Sequence, residues 1–417
     1  LEAFGLGIWV VAALSVAGVI LRPFGWPEAV WAVAGAVALV IFGLLPVGAA
    51  LQGVAEGADV YLFLTGMMLL SELARREGLF TWLAALVARR AAGSASKLFL
   101  LVYGMGTVVT VFLSNDATAV VLTPAVAAVA RAAGAKDARP FLLICAFIAN
   151  AASFVLPISN PANLVIYGAH MPSLLRWLPL YALPSAASIF VTFLVLRFSQ
   201  RAALREAVGV ADVPRLSRGA ALAASGICGT AFVLLLASAF GISLGLPTFL
   251  AGCATALVVL VSQGQMPWPV LRNMSWGVLP LVAGLFVLVA GLDASGLTAS
   301  LAALLRGQAQ AAPSRTVWAV GLLLGFGCNL VNNLPAGLIA GHAVQAAAVS
   351  AKIRAAVLVG VDLGPNLSVT GSLATILWLA ALRREGLHVT PWTFLKLGLV
   401  IMPAALLCAL ACIFMQG

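Results

Sequence analysis

A polar break inside an apolar run sets the limits on what this chain can fold into. Leu98–Leu113 and Ala117–Ala130 contain no charged residue, and between them stand Ser114, Asn115 and Asp116. In bilayer hydrocarbon an unpaired polar group costs several kcal/mol, so broken polar backbone survives there only where protein buries it or water reaches it. Each apolar arm is about 15 residues, roughly 22 Å of helix, which is short of the roughly 20 residues that a span requires. The pattern predicts a re-entrant hairpin over about residues 98–133, with Ser-Asn-Asp turning at mid-membrane depth.

That reading needs a membrane, and the composition supplies one. Hydrophobic residues make up 63% of the 417 and charged residues 9%, a balance that belongs to polytopic membrane proteins rather than soluble domains. The formal charge of +10 would suggest nucleic acid in a soluble chain; here it is assigned to cytoplasmic loops, and no nucleic-acid partner is expected. Leu1–Phe4 lacks the basic stretch of a cleavable signal, so the first apolar segment is expected to be retained. The six cysteines occur singly, without CxxC spacing, so neither disulfides nor a structural zinc site is expected.

Read in order, the first half offers spans at Gly5–Leu21, Ala29–Pro46 and Ala58–Leu73, then an amphipathic Leu79–Arg90 with Leu79, Trp82, Leu83 and Leu86 on its apolar face. After the hairpin come a span broken at Ile158–Asn163 and a last one at Leu174–Phe198. Residues 200–218 form the longest polar link. The second half repeats the order: Ala220–Phe240, Pro247–Val261, Val278–Leu292, an amphipathic Leu297–Leu305, a second apolar pair over about 315–350, a broken span Ile353–Leu382, and Phe394–Phe414. Gly66 and Gly284, Gly78-Leu79 and Gly296-Leu297, Leu83–Leu86 and Leu301–Leu304, and Asn115 and Asn333 all lie 218 residues apart. The expected organisation is therefore an N-terminal repeat (1–199), a cytoplasmic linker (200–218) and a C-terminal repeat (219–417), each repeat holding five spans plus one re-entrant hairpin.

Five is odd, so the second repeat must enter the membrane inverted. Inverted repeats whose broken helices meet at the midplane are the architecture of secondary transporters. With both termini outside, 18 of the 23 Lys and Arg fall on the cytoplasmic side and 5 outside, in line with the positive-inside rule. The fold expected is an all-α polytopic membrane protein of two inverted repeats.

Four polar knots should then converge: Ser114–Asp116, Ser159–Asn163, Asn332-Asn333 and Gly360–Ser372. Asn, Ser and Thr supply donors and acceptors without net charge, and half-helix ends aim partial charges at the gap. Such a site suits a small hydroxylated solute or a partly dehydrated cation. The nominated solute-binding residues are Ser114, Asn115, Ser159, Asn160, Asn332, Asn333, Asn366, Thr370, Gly371 and Ser372. Asp116 and Asp362 are the two acids well inside broken spans, and an intramembrane acid is a functional candidate by default; they are nominated for proton coupling, Asp116 first. Glu72, one turn from Arg75 and Arg76, reads as half of an interfacial ion pair. His170, His342 and His388 read as isolated, and Cys145 and Cys328 as packing residues. HExxH and GxxxxGK[ST] are absent from the sequence, so the reading is a transporter rather than an enzyme, with no metal and no cofactor.

At these knots the chain resembles the bacterial arsenite efflux pumps, the ArsB-type arsenical pump membrane proteins of the ion transporter superfamily. The resemblance rests on Asn115-Asp-Ala-Thr-Ala-Val-Val-Leu-Thr-Pro124, Asn332-Asn-Leu-Pro335, Gly360-Val-Asp-Leu-Gly-Pro365 and Gly371-Ser-Leu-Ala-Thr-Ile-Leu-Trp378, and it runs through the whole chain. It implies proton-driven export of arsenite and antimonite across the bacterial inner membrane, with optional pairing to a soluble ATPase subunit. More distant relatives, the sodium-coupled dicarboxylate transporters, carry Ser-Asn-Thr at both tips. Here Asp116 replaces the first Thr and the second tip reads Asn332-Asn-Leu-Pro335, so anion symport and sodium/proton antiport stand as the alternatives.

Overall fold

The computed structural model describes residues 2–209 and 212–416, and every named element within them is helical. The first half runs α1 (Glu2–Leu21), α2 (Glu28–Ile41), α3 (Val47–Glu56), α4 (Ala58–Arg76), α5 (Leu79–Ala91), α6 (Ala95–Phe112), α7 (Asn115–Ala117), α8 (Thr123–Ala132), α9 (Arg139–Ala151), α10 (Pro161–Tyr167) and α11 (Leu174–Ser199). The second runs α12 (Arg218–Ala239), α13 (Gly245–Gln263), α14 (Trp268–Asn273), α15 (Val278–Ala294), α16 (Leu297–Ala311), α17 (Pro313–Val331), α18 (Asn333–Ala347), α19 (Ala351–Leu363), α20 (Leu373–Arg384) and α21 (Pro391–Met415). By length and apolar composition α6, α11, α12, α13, α17 and α21 could each cross a bilayer, and two bent pairs, α3–α4 at 46° and α15–α16 at 72°, add up to two more.

Both arms of the first hairpin are longer than the sequence suggested. α6 has 18 residues, about 27 Å of helix, and the return arm is α7 and α8 joined by a π-helical turn at Thr118–Leu122. Pro124 lacks an N–H for the helical ladder, and the hydroxyls of Thr118 and Thr123 take up local carbonyls instead. The arms nonetheless start and finish together. α5 packs on both α6 and α8, while Val208 N–H donates to Gly93 O (2.9 Å) and Gly209 N–H to Ala133 O (2.5 Å). The link after α11 is thus strapped across the hairpin's base. The second hairpin closes likewise: Arg306 on α16, just before α17, donates to the last carbonyls of α18, Ala346 O at 2.6 Å and Ala347 O at 3.3 Å.

The buried side of α5 is not the one its large residues mark. Phe80, Ala84, Ala85, Ala88 and Ala91 are buried with Leu79, whereas Trp82, Leu83 and Leu86 are only half-buried. Lipid is as apolar as a leucine side chain, so helices here pack through small residues that permit close approach.

Helices begin at matching intervals in the two halves. The starts of α5 and α16 (79 and 297), α6 and α17 (95 and 313), and α7 and α18 (115 and 333) are each 218 residues apart. For α9 and α19 (139 and 351) and α10 and α20 (161 and 373) the interval is 212, because the second hairpin returns through fewer residues. α9 is buried from Pro140 to Ala151 and α19 from Ala355 to Leu363. These two form the centre of the bundle, and the site lies where they break.

Candidate functional site

Each of the four knots folds as the start of a helix. Ser114 caps α7 by accepting from Ala117 N–H (3.1 Å), Asn160 caps α10 through Ala162 N–H (3.0 Å), Asn332 caps α18 through Leu334 N–H (3.3 Å), and Ser372 caps α20 through Thr375 N–H (3.2 Å). Asn332 holds φ +71° with ψ 152°, a strained backbone that residues other than glycine rarely adopt. A helix N-terminus presents unpaired N–H groups and about half a positive charge. Residues from all four starts line a single cleft: Asn115 and Asp116, Asn160 and Pro161, Asn333 and Leu334, and Ser372, Leu373 and Ala374, closed by Val60 and Leu64 of α4 and by Val278 and Val282 of α15.

Behind the cleft, side chains brace the breaks. The carboxyl of Asp362, buried, accepts from Ser153 Oγ (2.7 Å) and Asn160 Nδ2 (2.9 Å). Asn366 accepts from Asn150 Nδ2 and donates to Phe147 O, both at 3.0 Å. Asn163 Nδ2 donates to Ser153 O at 2.9 Å, and Asn329 Nδ2 to Gly364 O at 3.0 Å while its Oδ1 accepts from Ser368. Ser159 Oγ reaches Val111 O at 3.0 Å, tying the first broken helix to the hairpin tip. Buried backbone groups freed by a break must find partners, and these side chains are the partners.

Five of the twelve nominated residues therefore share the cleft: Asn115, Asp116, Asn160, Asn333 and Ser372. Ser114, Ser159, Asn332, Asp362 and Asn366 stand behind it as caps and braces. Thr370 joins them by donating to Asn329 O (3.1 Å) and accepting from Asn332 Nδ2 at its carbonyl (3.2 Å). Gly371 sits where a Cβ would lie 2.6 Å from both Asn329 Oδ1 and Pro365 Cα. Asn150, Ser153 and Asn329 complete this network without having been nominated; each is a polar residue in a largely apolar stretch, a signal the sequence did carry.

The two acids differ in their surroundings. Ser114 already caps the helix start, and the Asp116 N–H is taken by Asn115 Oδ1 (2.9 Å). Among the described residues no side chain donates to the Asp116 carboxyl, and the cleft lining holds no Lys, Arg or His. Asp116, Asn333 and the Asn115 amide are left facing the cleft. Glu72 pairs with Arg75 at 2.5 Å, as its spacing suggested. His342, by contrast, is not isolated: its Nδ1 lies 2.8 Å from Asp293 Oδ2.

The cleft has about 20 Å³ of free space, roughly one water. Next to it opens a vestibule of about 940 Å³, whose lining includes Glu56, Asp59, Leu164, Gly241–Leu244, Phe286, Asp293 and His342. Val60 lines both spaces. The first turn of α4 and the last turn of α15 meet at the same vestibule.

Helical spans, broken helices with their starts turned inward, and a polar cleft between two hairpins define a multi-pass membrane transporter. The family model described as "Citrate transporter" (CitMHS) matches residues 9–361, and the chain belongs to that family. Arsenical pump membrane proteins are among its relatives: one from Escherichia coli is 25% identical with 97% of each chain covered, and one from Yersinia enterocolitica is 27% identical with 84% of each covered. The fold is similar to that of the Alcanivorax borkumensis YdaH transporter, with TM-score 0.56 and 20% identity over 88% of this chain and 86% of the other. It is also similar to Neisseria gonorrhoeae MtrF, with TM-score 0.51 and 14% identity over 88% and 82%.

Proposed function

We propose that this protein exports a neutral trivalent metalloid hydroxide, arsenite or antimonite, from the bacterial cytoplasm in exchange for protons. The observation that carries the reading is the Asp116 carboxyl, free of donors among the described residues and at the focus of four helix starts. Solute oxygens would accept from the helix-start N–H groups and the Asn115 amide, and solute hydroxyls would donate to Asp116. A proton arriving at that carboxyl removes the acceptor and releases the solute. The names of the curated relatives support the cargo; the citrate in the family's name does not transfer easily, since a cleft with an acid and no cation repels a carboxylate.

In this reading the two halves are inverted repeats, with both termini and the vestibule on the outer face of the inner membrane. The meeting of the α4 start and the α15 end at one vestibule supports the inversion. A neutral solute feels no membrane potential, so uphill export needs a charged partner. One charge moving through about 100 mV gains about 2.3 kcal/mol, enough at about 1.36 kcal/mol per tenfold for a gradient of roughly 50-fold per proton.

Everted vesicles test this. Wild-type vesicles should accumulate arsenite in step with an imposed pH gradient and ignore citrate and sodium. Asp116→Asn should lose the uphill component while keeping downhill arsenite exchange. Continued pH-driven accumulation by Asp116→Asn would move the coupling role to Asp362, and citrate uptake in place of arsenite would overturn the metalloid reading.

A further inference from the structure

Four helices run side by side from the cleft to the vestibule. On α15, Val278 and Val282 face the cleft, and Phe286, Ala290 and Asp293, further along, face the vestibule. On α18, Asn333 and Leu334 face the cleft and His342, Gln345 and Ala346 the vestibule. α4 and α10 make the same passage, through Val60 and through Pro161 to Leu164.

These helices form two pairs. α10 and α18 are tied by Gln345 Nε2, which donates to Ile166 O (3.2 Å) and Tyr167 O (3.1 Å), and a Cβ on Gly341 would lie 2.7 Å from Ile166 O. α15 packs on α3, which leads into α4, and touches α4 beside it; across from them α10 packs against α4 and α18 against α15. A cleft with room for one water can admit a larger solute from the vestibule only if the first pair parts from the second. Among the described residues, one side-chain hydrogen bond crosses that plane: His342 on α18 to Asp293 on α15. Asp293 is held in place by Thr298 Oγ1, which also donates to it.

We propose that the His342–Asp293 bridge is a proton-dependent latch on the vestibule-side gate, holding the second hairpin against α15 when the imidazole is charged and letting it part when the imidazole is neutral. Histidine is the side chain whose ordinary titration falls between about pH 5 and 8. The other charged or titratable groups around His342 are few. Glu56 at the end of α3, Asp59 at the start of α4 and His170 after α10 line the same vestibule, and Arg306 from α16 sits on the last carbonyls of α18. Asp59 is committed to Gly245 N–H at 2.8 Å. α10, α17 and α19 contribute no charged side chain to the vestibule lining. Asp293 is therefore the counter-charge in direct contact, and the bridge is only partly exposed, with side-chain accessibilities of 24% for His342 and 33% for Asp293. The latch depends on the chain being a transporter, not on which solute or ion it carries.

A measurement without any solute tests it. Val282→Cys, placed in a chain whose native cysteines are replaced, reports access to the cleft by its rate of labelling with a membrane-impermeant maleimide from the vestibule face. The rate in a His342→Gln background, divided by the rate in the parent at the same pH, cancels the reagent's own pH dependence. Gln keeps a hydrogen-bond donor but cannot take the charge. The expected ratio is near one at about pH 8 and two- to fivefold at about pH 5.5, the size of a partly exposed ion pair. Asp293→Asn should give the same acid-side rise, which keeps the test open if one variant does not fold. A ratio that does not change with pH, or a Val282→Cys that no reagent reaches from the vestibule face, overturns the latch. Neither outcome bears on whether arsenite is the cargo.

Discussion

Removing Asp362 separates a brace from the proposed coupling group. In Asp362→Ala, Asn160 Nδ2 loses its acceptor at 2.9 Å, and a buried donor left unpaired costs about 1–3 kcal/mol. Ser153 Oγ keeps a second acceptor, Asn150 O at 2.8 Å, so its loss is only the net worth of one bond, about 0.5–1.5 kcal/mol. The sum is about 1.5–4.5 kcal/mol. Asp362→Asn should cost about 1 kcal/mol, because its amide oxygen still serves Asn160 and the Ser153 hydroxyl can turn to accept. Asp116→Ala breaks no side-chain bond and should stay within about 0.5 kcal/mol of wild type. Apparent unfolding temperatures of the purified variants in one detergent should therefore rank wild type and Asp116→Ala together, then Asp362→Asn, then Asp362→Ala. If Asp116→Ala falls as far as Asp362→Ala, or if Asp362→Ala matches wild type, the division between the two acids is wrong.

Two further outcomes follow from packing. Gly66→Ala places a methyl 2.6 Å from Thr248 C and 2.9 Å from Phe249 N, and Gly284→Ala places one 2.7 Å from Ala32 C. Overpacking of this kind costs about 1–3 kcal/mol, more than the roughly 1 kcal/mol that alanine gains in a helix, so both should lower the unfolding temperature. Gly104→Ala, with nothing within 4 Å, should raise it slightly. Replacing all six cysteines by Ser or Ala should leave appreciable arsenite efflux in vesicles, because no cysteine lines the cleft and a soft thiolate would hold the metalloid too tightly to release it; loss of efflux with the protein still folded would point to a thiol site.

The hairpin tips were legible because hydrocarbon makes each polar residue conspicuous. Ser114–Asp116 and Asn332-Asn333 stand out of apolar runs, and the structure puts a helix start at each. What the sequence hid was whatever lipid makes silent. The packing face of α5 is written in alanines with Leu79 and Phe80, rather than in Trp82, Leu83 and Leu86. α3 was passed over because Gly48, Gln52 and Gly53 lower its hydropathy. The 218-residue interval identified corresponding elements up to the tips but could not foresee the shift to 212 beyond them. Asn150 and Ser153 were readable by the same rule as the tips and were missed because neither sits beside a Gly or Pro break in the sequence. The His342–Asp293 contact spans 49 residues and has no counterpart in the first half, where the corresponding positions are Pro124 and Arg75; no periodicity could have announced it.

That loss of symmetry extends to the tips themselves. The two tips match in register, Asn115 with Asn333, yet the next residue is Asp116 in one and Leu334 in the other. Both line the cleft. The two halves supply four helix starts, each with its positive end inward, and four such ends around one small space favour an acceptor of hydrogen bonds. A single carboxylate among them satisfies that preference from within the protein. Protonating it shifts the preference to whatever oxygen the solute offers, whereas a second acid at position 334 would leave one carboxylate charged throughout. Leu334→Asp should therefore cost solute binding in the vesicle assay, without restoring coupling to an Asp116→Asn chain whose proposed proton site lies on the other hairpin. If Leu334→Asp rescues pH-driven accumulation in that background, either tip can carry the proton and the asymmetry is incidental.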